Sequence, residues 1–266
     1  MEIKEIGIVG SGTMAGQIAE LFLKYNFDVT LFSRSEESAK KCLGKFKQKE
    51  LAERLKTTTN LNDLKEMDLI IESVKEDARI KQEIFEKLDK IAGNETIITS
   101  NTSSIPIGII SHDCKNKKRI LGIHFSNPAA YMKLVEIVKT DFVSDKMLNT
   151  VIGLMRKIEK EPIVVKDTPG FILNRILFPM LNEAANLFYE GKASREDIDK
   201  VMVLGAGHPI GPLKIIDIVG VDVTVSILKN LQSELKNDRY APSPVLLKML
   251  KENNLGRKTR KGFYEY

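Results

Sequence analysis

The chain has 266 residues, 42% of them hydrophobic and 29% charged, a balance that excludes a disordered chain and allows a large core. Its 41 basic and 36 acidic residues give a net charge of +5 without a dense basic tract interleaved with aromatics, which argues against a nucleic-acid platform. Cys42 and Cys114 lie far apart with no C-x-x-C, so no disulfide framework and no metal site is expected, and a reducing compartment fits.

The charged start Met1-Glu2-Ile3-Lys4-Glu5 leads straight into a strand pattern, so no signal peptide is expected. No apolar stretch approaches the roughly 18 residues of a membrane span. The expectation is a cytoplasmic protein without membrane partners.

In chain order, strands are predicted at Ile3–Val9, Val29–Phe32, Leu69–Glu72, Thr96–Ser100 and Ile120–Phe125. Between them, apolar residues recur at helical spacing over Met14–Tyr25, Glu36–Leu55 and Glu76–Ile91, with a short strand-like run at Thr57–Thr59. Leu134–Val138 and Ile163–Val165 add strands around a helix over Ser144–Ile158. This alternation predicts βαβ units and a mainly parallel sheet covered on both faces. Asp167-Thr168-Pro169-Gly170 is a turn signal, and the pattern beyond it is purely helical. Helices are predicted over Phe171–Tyr189, from Ser194 with Asp197 completing a variant capping box, and over Val223–Leu235 and Ser243–Glu252. The fold class is therefore α/β: a Rossmann-type domain over residues 1–166, then an all-helical domain over 167–266.

Ile6-Gly7-Ile8-Val9-Gly10-Ser11-Gly12-Thr13-Met14-Ala15-Gly16 sets a glycine fingerprint between a strand and a helix. Gly10 permits the tight turn, Gly12 lets backbone approach a pyrophosphate, and Ala15 is small enough for close helix–sheet packing. Thr13 and Met14 open the helix whose N–H groups would face the phosphates. A carboxylate about 20 residues further on usually binds the ribose 2′-hydroxyl of NAD. Here the second strand ends in Phe32-Ser33-Arg34-Ser35, with no carboxylate before Glu36. Ser33 and Arg34 are candidates for a 2′-phosphate, which predicts acceptance of NADP beside NAD. The plainer alternative is that Arg34 stacks on adenine without discriminating.

Three further segments carry chemistry: Ile98 to Ser104 with Asn101, Leu121 to Pro128 with His124 followed by Met132 to Val138, and Asp167 to Arg175. Together with the glycine turn, with Gly205-Ala206-Gly207-His208-Pro209-Ile210-Gly211-Pro212 and with the ending Leu255 to Tyr264, they resemble the 3-hydroxyacyl-CoA dehydrogenase family over nearly the whole chain. The resemblance implies that His124 is a general base and Glu136 its carboxylate partner. It implies that Ser103 and Asn174 hydrogen-bond the reacting oxygen, and that Asn101, Glu76 and Lys81 lie against the cofactor. Alcohol oxidation needs such a base, and imidazole, with an unperturbed pKa of about 6.5, exchanges protons near neutrality. A carboxylate on the other ring nitrogen fixes the tautomer and stabilises imidazolium. The plainer readings are a structural histidine, a turn hydroxyl at Ser103, a helix brace at Asn174 and a solvated pair at Glu76 and Lys81.

The resemblance further implies an acyl-CoA substrate of short chain, such as 3-hydroxybutyryl-CoA, and a homodimer through the helical domain. Three departures stand out. Ser33 replaces an acidic residue, Ser126 replaces an aromatic after His124-Phe125, and the stretch from Ser33 to Thr57 is shorter than the family's CoA-gripping helical hairpin. One helix is all that is expected there, although Lys45, Lys47, Lys49, Arg54 and Lys56 still offer positive charge. A free hydroxy acid or sugar acid is the rival substrate, and a non-catalytic dinucleotide-binding protein the rival of another class.

Overall fold

The computed structural model describes residues 2–266. The chain divides into two compact units, one ending at Thr168 and the other running from Pro169 to Tyr266.

In the first unit β1 (Glu5–Val9), α1 (Thr13–Lys24) and β2 (Asp28–Phe32) form the opening βαβ element. There follow α2 (Glu36–Leu43), α3 (Lys49–Arg54), β3 (Lys56–Thr58), β4 (Leu69–Glu72), α4 (Ala78–Ile91), β5 (Ile97–Ser100) and the one-turn α5 (Ile107–Ile110). β6 (Ile120–Phe125), β7 (Leu134–Lys139), α6 (Asp145–Lys157) and β8 (Glu161–Lys166) complete it. The eight strands form one sheet in the order β3-β2-β1-β4-β5-β6-β7-β8. All neighbours are parallel except β6 and β7. The central strands read as continuous apolar runs because helices cover both faces; Ile6, Ile8, Ile70 and Ile98 have no exposed surface. Strand order reverses between β1 and β4, so a crevice opens at the carboxyl ends of these two strands.

This is the Rossmann NAD-binding architecture predicted above, with two local differences. The single helix expected over Glu36–Leu55 is two helices, α2 and α3. The amides of Lys47 and Gln48, in the turn between them, donate to Glu20 Oε1 at 2.8 and 3.1 Å. That anchor on α1 is a tertiary contact, so local periodicity carries no trace of it. α4 also begins later than Glu76, because Asp77 caps it by accepting from the Ile80 amide. Glu76 is thereby left outside the helix.

The second unit packs α7 (Leu173–Tyr189), α8 (Arg195–Ala206), α9 (Pro212–Val219), α10 (Val221–Leu235) and α11 (Pro244–Lys251) around Leu181, Leu213, Ile216, Leu228, Leu231 and Leu246. Ser194 caps α8 through the Asp197 amide. The short α9, which too few periodic positions marked in the sequence, starts on Pro212 and ends on Gly220. The chain's last residues are clamped by a buried carboxylate: Asp217 accepts from the Phe263 and Tyr264 amides, each at 2.9 Å. Gly262 is required there, since a Cβ would sit 2.0 Å from Asp217 Oδ1.

Among the described residues, no helix is long and apolar enough to cross a membrane.

Candidate active site

The glycine turn follows β1. Gly10 has φ +128°, and a Cβ on it would come within 2.4 Å of the Ser73 carbonyl oxygen, so no other residue fits. A Cβ on Gly12, by contrast, would meet nothing of this chain within 4 Å. The protein's own packing does not call for a glycine at position 12; a bare backbone there suits a ligand that comes close. Gly12 caps α1 without a side-chain hydrogen bond, and no carboxylate occupies the helix's first turn. Unsatisfied N–H groups and the positive dipole end thus face the crevice, where an anion is welcome. These residues fit the pyrophosphate of a dinucleotide.

Thr13 is exposed and Met14 half-buried at this helix end. Ser33 is fully buried, its hydroxyl 3.0 Å from the Ser35 carbonyl and 3.2 Å from Ser11 Oγ. It ties the end of β2 to the glycine turn and does not line the surface, whereas Arg34 beside it is exposed.

Beyond the crevice, Asn101 knits three strand ends together. Its amide donates to the Glu72 carbonyl at 2.8 Å, its Nδ2 to Ser73 Oγ at 3.3 Å, and its Oδ1 accepts from the Phe125 amide at 2.9 Å. The loop carrying Ser103 is gathered on Glu76 Oε1, which accepts from Thr102 Oγ1 at 2.7 Å and from the Ser103 and Ser104 amides at 2.9 and 3.0 Å. Burial alone would raise the Glu76 pKa, but the Lys81 ammonium and these donors outweigh it and hold the carboxyl below its ordinary range. Lys81 is only 1% exposed; its Nζ lies 3.3 Å from Glu76 Oε2 and 2.8 Å from Glu72 Oε1. Glu76 and Lys81 are therefore no solvated helix pair but two members of a triad, buried at Lys81 and Glu72 and part-exposed at Glu76, that braces the Ser103 loop.

His124 and Glu136 face each other across the one antiparallel strand pair, in direct register between β6 and β7. Side chains on directly opposed residues project to the same face of a sheet, and here Nδ1 of His124 meets Glu136 Oε2 at 2.8 Å. Both side chains are more than nine-tenths buried. Phe125, the next residue, points to the other face and meets Phe22 of α1 edge-on at 6.3 Å, which anchors the β6 end on α1.

A groove of about 100 Å³ runs beside the glycine turn, lined in part by Gly12, Gly16, Phe46, Lys47, Pro128 and Tyr131. Lys47 Nζ reaches Tyr131 OH at 3.1 Å and lies 4.7 Å from that ring's centroid. Gln17 ties α1 to the loop after β6 by accepting from the Ala129 amide at 2.8 Å. From the far side, the buried Lys160 ammonium holds the same loop by donating to the Ala129 and Met132 carbonyls at 2.6 and 2.9 Å. Glu72, Gln17 and Lys160 all escaped the sequence reading. Only Glu72 left a signal, as a charge ending an apolar strand.

Asn174 is the second residue of α7 in the helical unit, and its side chain is buried.

A strand-end glycine turn, a bare helix terminus and a histidine–carboxylate pair on one mainly parallel sheet define a dinucleotide-dependent oxidoreductase class. Family models agree. The "3-hydroxyacyl-CoA dehydrogenase, NAD binding domain" matches residues 5–168, and the "3-hydroxyacyl-CoA dehydrogenase, C-terminal domain" matches residues 170–266. The chain belongs to the 3-hydroxyacyl-CoA dehydrogenase family of NAD-dependent oxidoreductases. It is 40% identical over 278 residues to a 3-hydroxybutyryl-CoA dehydrogenase of Clostridioides difficile, covering 98% of this chain and 99% of that one. It is 37% identical to the human mitochondrial hydroxyacyl-coenzyme A dehydrogenase, covering 99% of this chain and 91% of that one. The crystal structure of an (S)-3-hydroxybutyryl-CoA dehydrogenase from Ralstonia eutropha superposes with a TM-score of 0.91 at 36% identity, covering 100% of this chain and 99% of that one.

Proposed function

We propose that the protein catalyses reversible oxidation at C3 of a short-chain (S)-3-hydroxyacyl-CoA, of the 3-hydroxybutyryl-CoA and acetoacetyl-CoA type. The observation that carries this reading is the cross-strand contact between His124 Nδ1 and Glu136 Oε2 at 2.8 Å, in the same sheet as the glycine turn. A carboxylate on Nδ1 fixes the neutral tautomer with its proton there, which assigns proton exchange with the C3 hydroxyl to Nε2. When bound, NAD supplies the hydride acceptor and, reduced, the hydride donor. As the alcohol is oxidised, Nε2 takes the hydroxyl proton and Glu136 stabilises the imidazolium; the reverse reaction returns the proton. Ser103 and Asn174 are assigned to hydrogen bonds with the reacting oxygen, and Asn101 to the nicotinamide end. Gly10, Gly12, Thr13 and Met14 are assigned to the pyrophosphate. Glu76 and Lys81 act on the cofactor side by holding the loop that carries Ser103.

The groove lined by Phe46 and Lys47 is assigned to the acyl thioester. The pair of short helices α2 and α3 is compact, which favours a second substrate reading, a free 3-hydroxy acid or sugar acid. A steady-state comparison decides between them. Acetoacetyl-CoA is expected to oxidise reduced nicotinamide with a kcat/KM at least about tenfold above that of free acetoacetate, a preference of about 1.4 kcal/mol. Equal values would favour the free acid, and no turnover of either with dinucleotide still bound would mark a non-enzyme.

The exposed Arg34, with no carboxylate ending β2, supports use of NADP as well as NAD. Arg34→Ala is expected to weaken NADP more than NAD, and equal loss would leave only adenine stacking. Ile176, Tyr189, Val201 and Leu204 are 59–73% exposed on α7 and α8. Such a run of exposed apolar side chains supports a homodimer formed through the helical unit, measurable by sedimentation. A cytoplasmic enzyme of fatty acid metabolism completes the reading.

A further inference from the structure

We infer that Glu72 is a positioning residue that holds the Ser103 loop in register with the glycine turn and the histidine strand. The inference rests on the assignment of Ser103 to the reacting oxygen.

Glu72 ends β4 at the reversal of strand order, opposite Val9 of β1 and Ser100 of β5. Its side chain has no exposed surface. A carboxylate so placed is costly unless every lone pair is occupied, and an apolar residue would serve the core better. The occupants here all belong to segments that build the site. Oε1 accepts from the Val74 amide at 2.7 Å and from Lys81 Nζ at 2.8 Å. Oε2 accepts from Ser100 Oγ at 2.6 Å and from Lys81 Nζ at 3.1 Å.

Each partner leads outward to a working element. The Ser100 hydroxyl in turn accepts from the Thr102 amide at 3.1 Å, at the root of the Ser103 loop. Lys81 passes the charge to Glu76, whose other oxygen collects Thr102, Ser103 and Ser104. Val74 belongs to the turn whose Ser73 carbonyl lies beneath Gly10 and whose Ser73 hydroxyl meets Asn101, the partner of the Phe125 amide next to His124. One buried carboxylate thus sets the spacing of the dinucleotide turn, the Ser103 loop and the histidine strand. Two carboxylates share one ammonium in this chain of contacts, and removing the inner charge lets Lys81 follow Glu76 and the loop away from the β4 terminus. A misplacement of about 1 Å at a reacting centre can cost about 100-fold in rate.

The test is a double-variant cycle on the intact protein, with acetoacetyl-CoA and reduced NAD, reading kcat, KM and dinucleotide affinity. Glu72→Gln keeps the shape and removes the charge. It is expected to lower kcat by about 10- to 100-fold with KM and dinucleotide Kd changed by less than about threefold. In a Ser103→Ala background the same change is expected to cost little more, because both act on one contact. Ser100→Ala removes one partner of Oε2 and the acceptor of the Thr102 amide, and leaves the Glu72 charge in place. It is expected to show a smaller loss of the same kind, and it decides the matter should Glu72→Gln not fold. Wild-type kcat in Glu72→Gln, or losses that simply multiply with Ser103→Ala, overturns the inference while Ser103 keeps its role. Wild-type turnover in Ser103→Ala overturns the assignment of Ser103 and the inference together.

Discussion

Both units bury carboxylates, and they use them differently. In the sheet unit the acids of the candidate site face cations or a titratable ring: the buried Glu72 and the part-buried Glu76 share Lys81, and the buried Glu136 meets His124. In the helical unit they face amides and phenols instead. Asp217 accepts from the Phe263 and Tyr264 amides, and Asp199 from the Leu213 amide and the Tyr264 hydroxyl, both at 2.8 Å. An acid paired with amides only fastens chain segments together. An acid paired with a movable proton or a shared ammonium can also tune chemistry. The difference separates the part of the molecule expected to affect rate from the part expected to affect stability alone.

The largest effect is expected at the ring. His124→Ala should lower kcat by about 10²–10⁴ while dinucleotide binding, followed by fluorescence titration, is retained. Near-normal turnover would erase the functional half of the comparison. Glu136→Gln keeps the volume but reverses the tautomer preference of the ring, and a loss of about 10²-fold in kcat is expected with KM little changed. A loss confined to thermal stability would move Glu136 into the fastening class.

Asp217→Ala is the counterpart in the helical unit. It leaves the Phe263 and Tyr264 amides without their acceptor, which should cost about 1–3 kcal/mol in denaturant unfolding. Activity per folded molecule should stay at the wild-type level, and a kcat loss at full folding would contradict the division.

The smallest effect is one of pH, and its sign differs between Glu76 and Asp217. Glu76 has a folded pKa below the ordinary value of about 4.3, so its stabilising contribution is present above that value and is lost as pH falls through the lowered one. Burial pushes the Asp217 carboxyl up, outweighing its hydrogen bonds from Phe263, Tyr264 and Tyr266. Its contribution is full below the unfolded value of about 3.9 and is lost as pH rises through the raised one. Hydrogen exchange of the Ser103 and Ser104 amides should therefore lose protection on acidification, while that of the Phe263 and Tyr264 amides should not. A parallel fall at both places would break the comparison.

Much of the sheet unit was legible because its signals are local. The apolar runs at Leu69–Glu72 and Ile120–Phe125 have the bounds predicted for them. The glycine turn was readable because Gly10 meets a backbone requirement set within one turn and its neighbouring strand. The break between α2 and α3 was not readable, since it depends on Glu20 reaching the Lys47 and Gln48 amides from another helix. Glu72 was passed over for the same reason: its partners Lys81 and Ser100 are 9 and 28 residues away.

The order of strands and helices, the turn chemistry and the residue types needed for proton and hydride transfer are all written along the chain, because periodicity and backbone preference act over a few residues. Folding alone decided that His124 stands opposite Glu136, that Ser33 turns inward while Arg34 stays out, and that three charges meet beneath the Ser103 loop. Register between distant strands and the enclosure of a charge depend on which segments become neighbours, and that is a property of the packed whole.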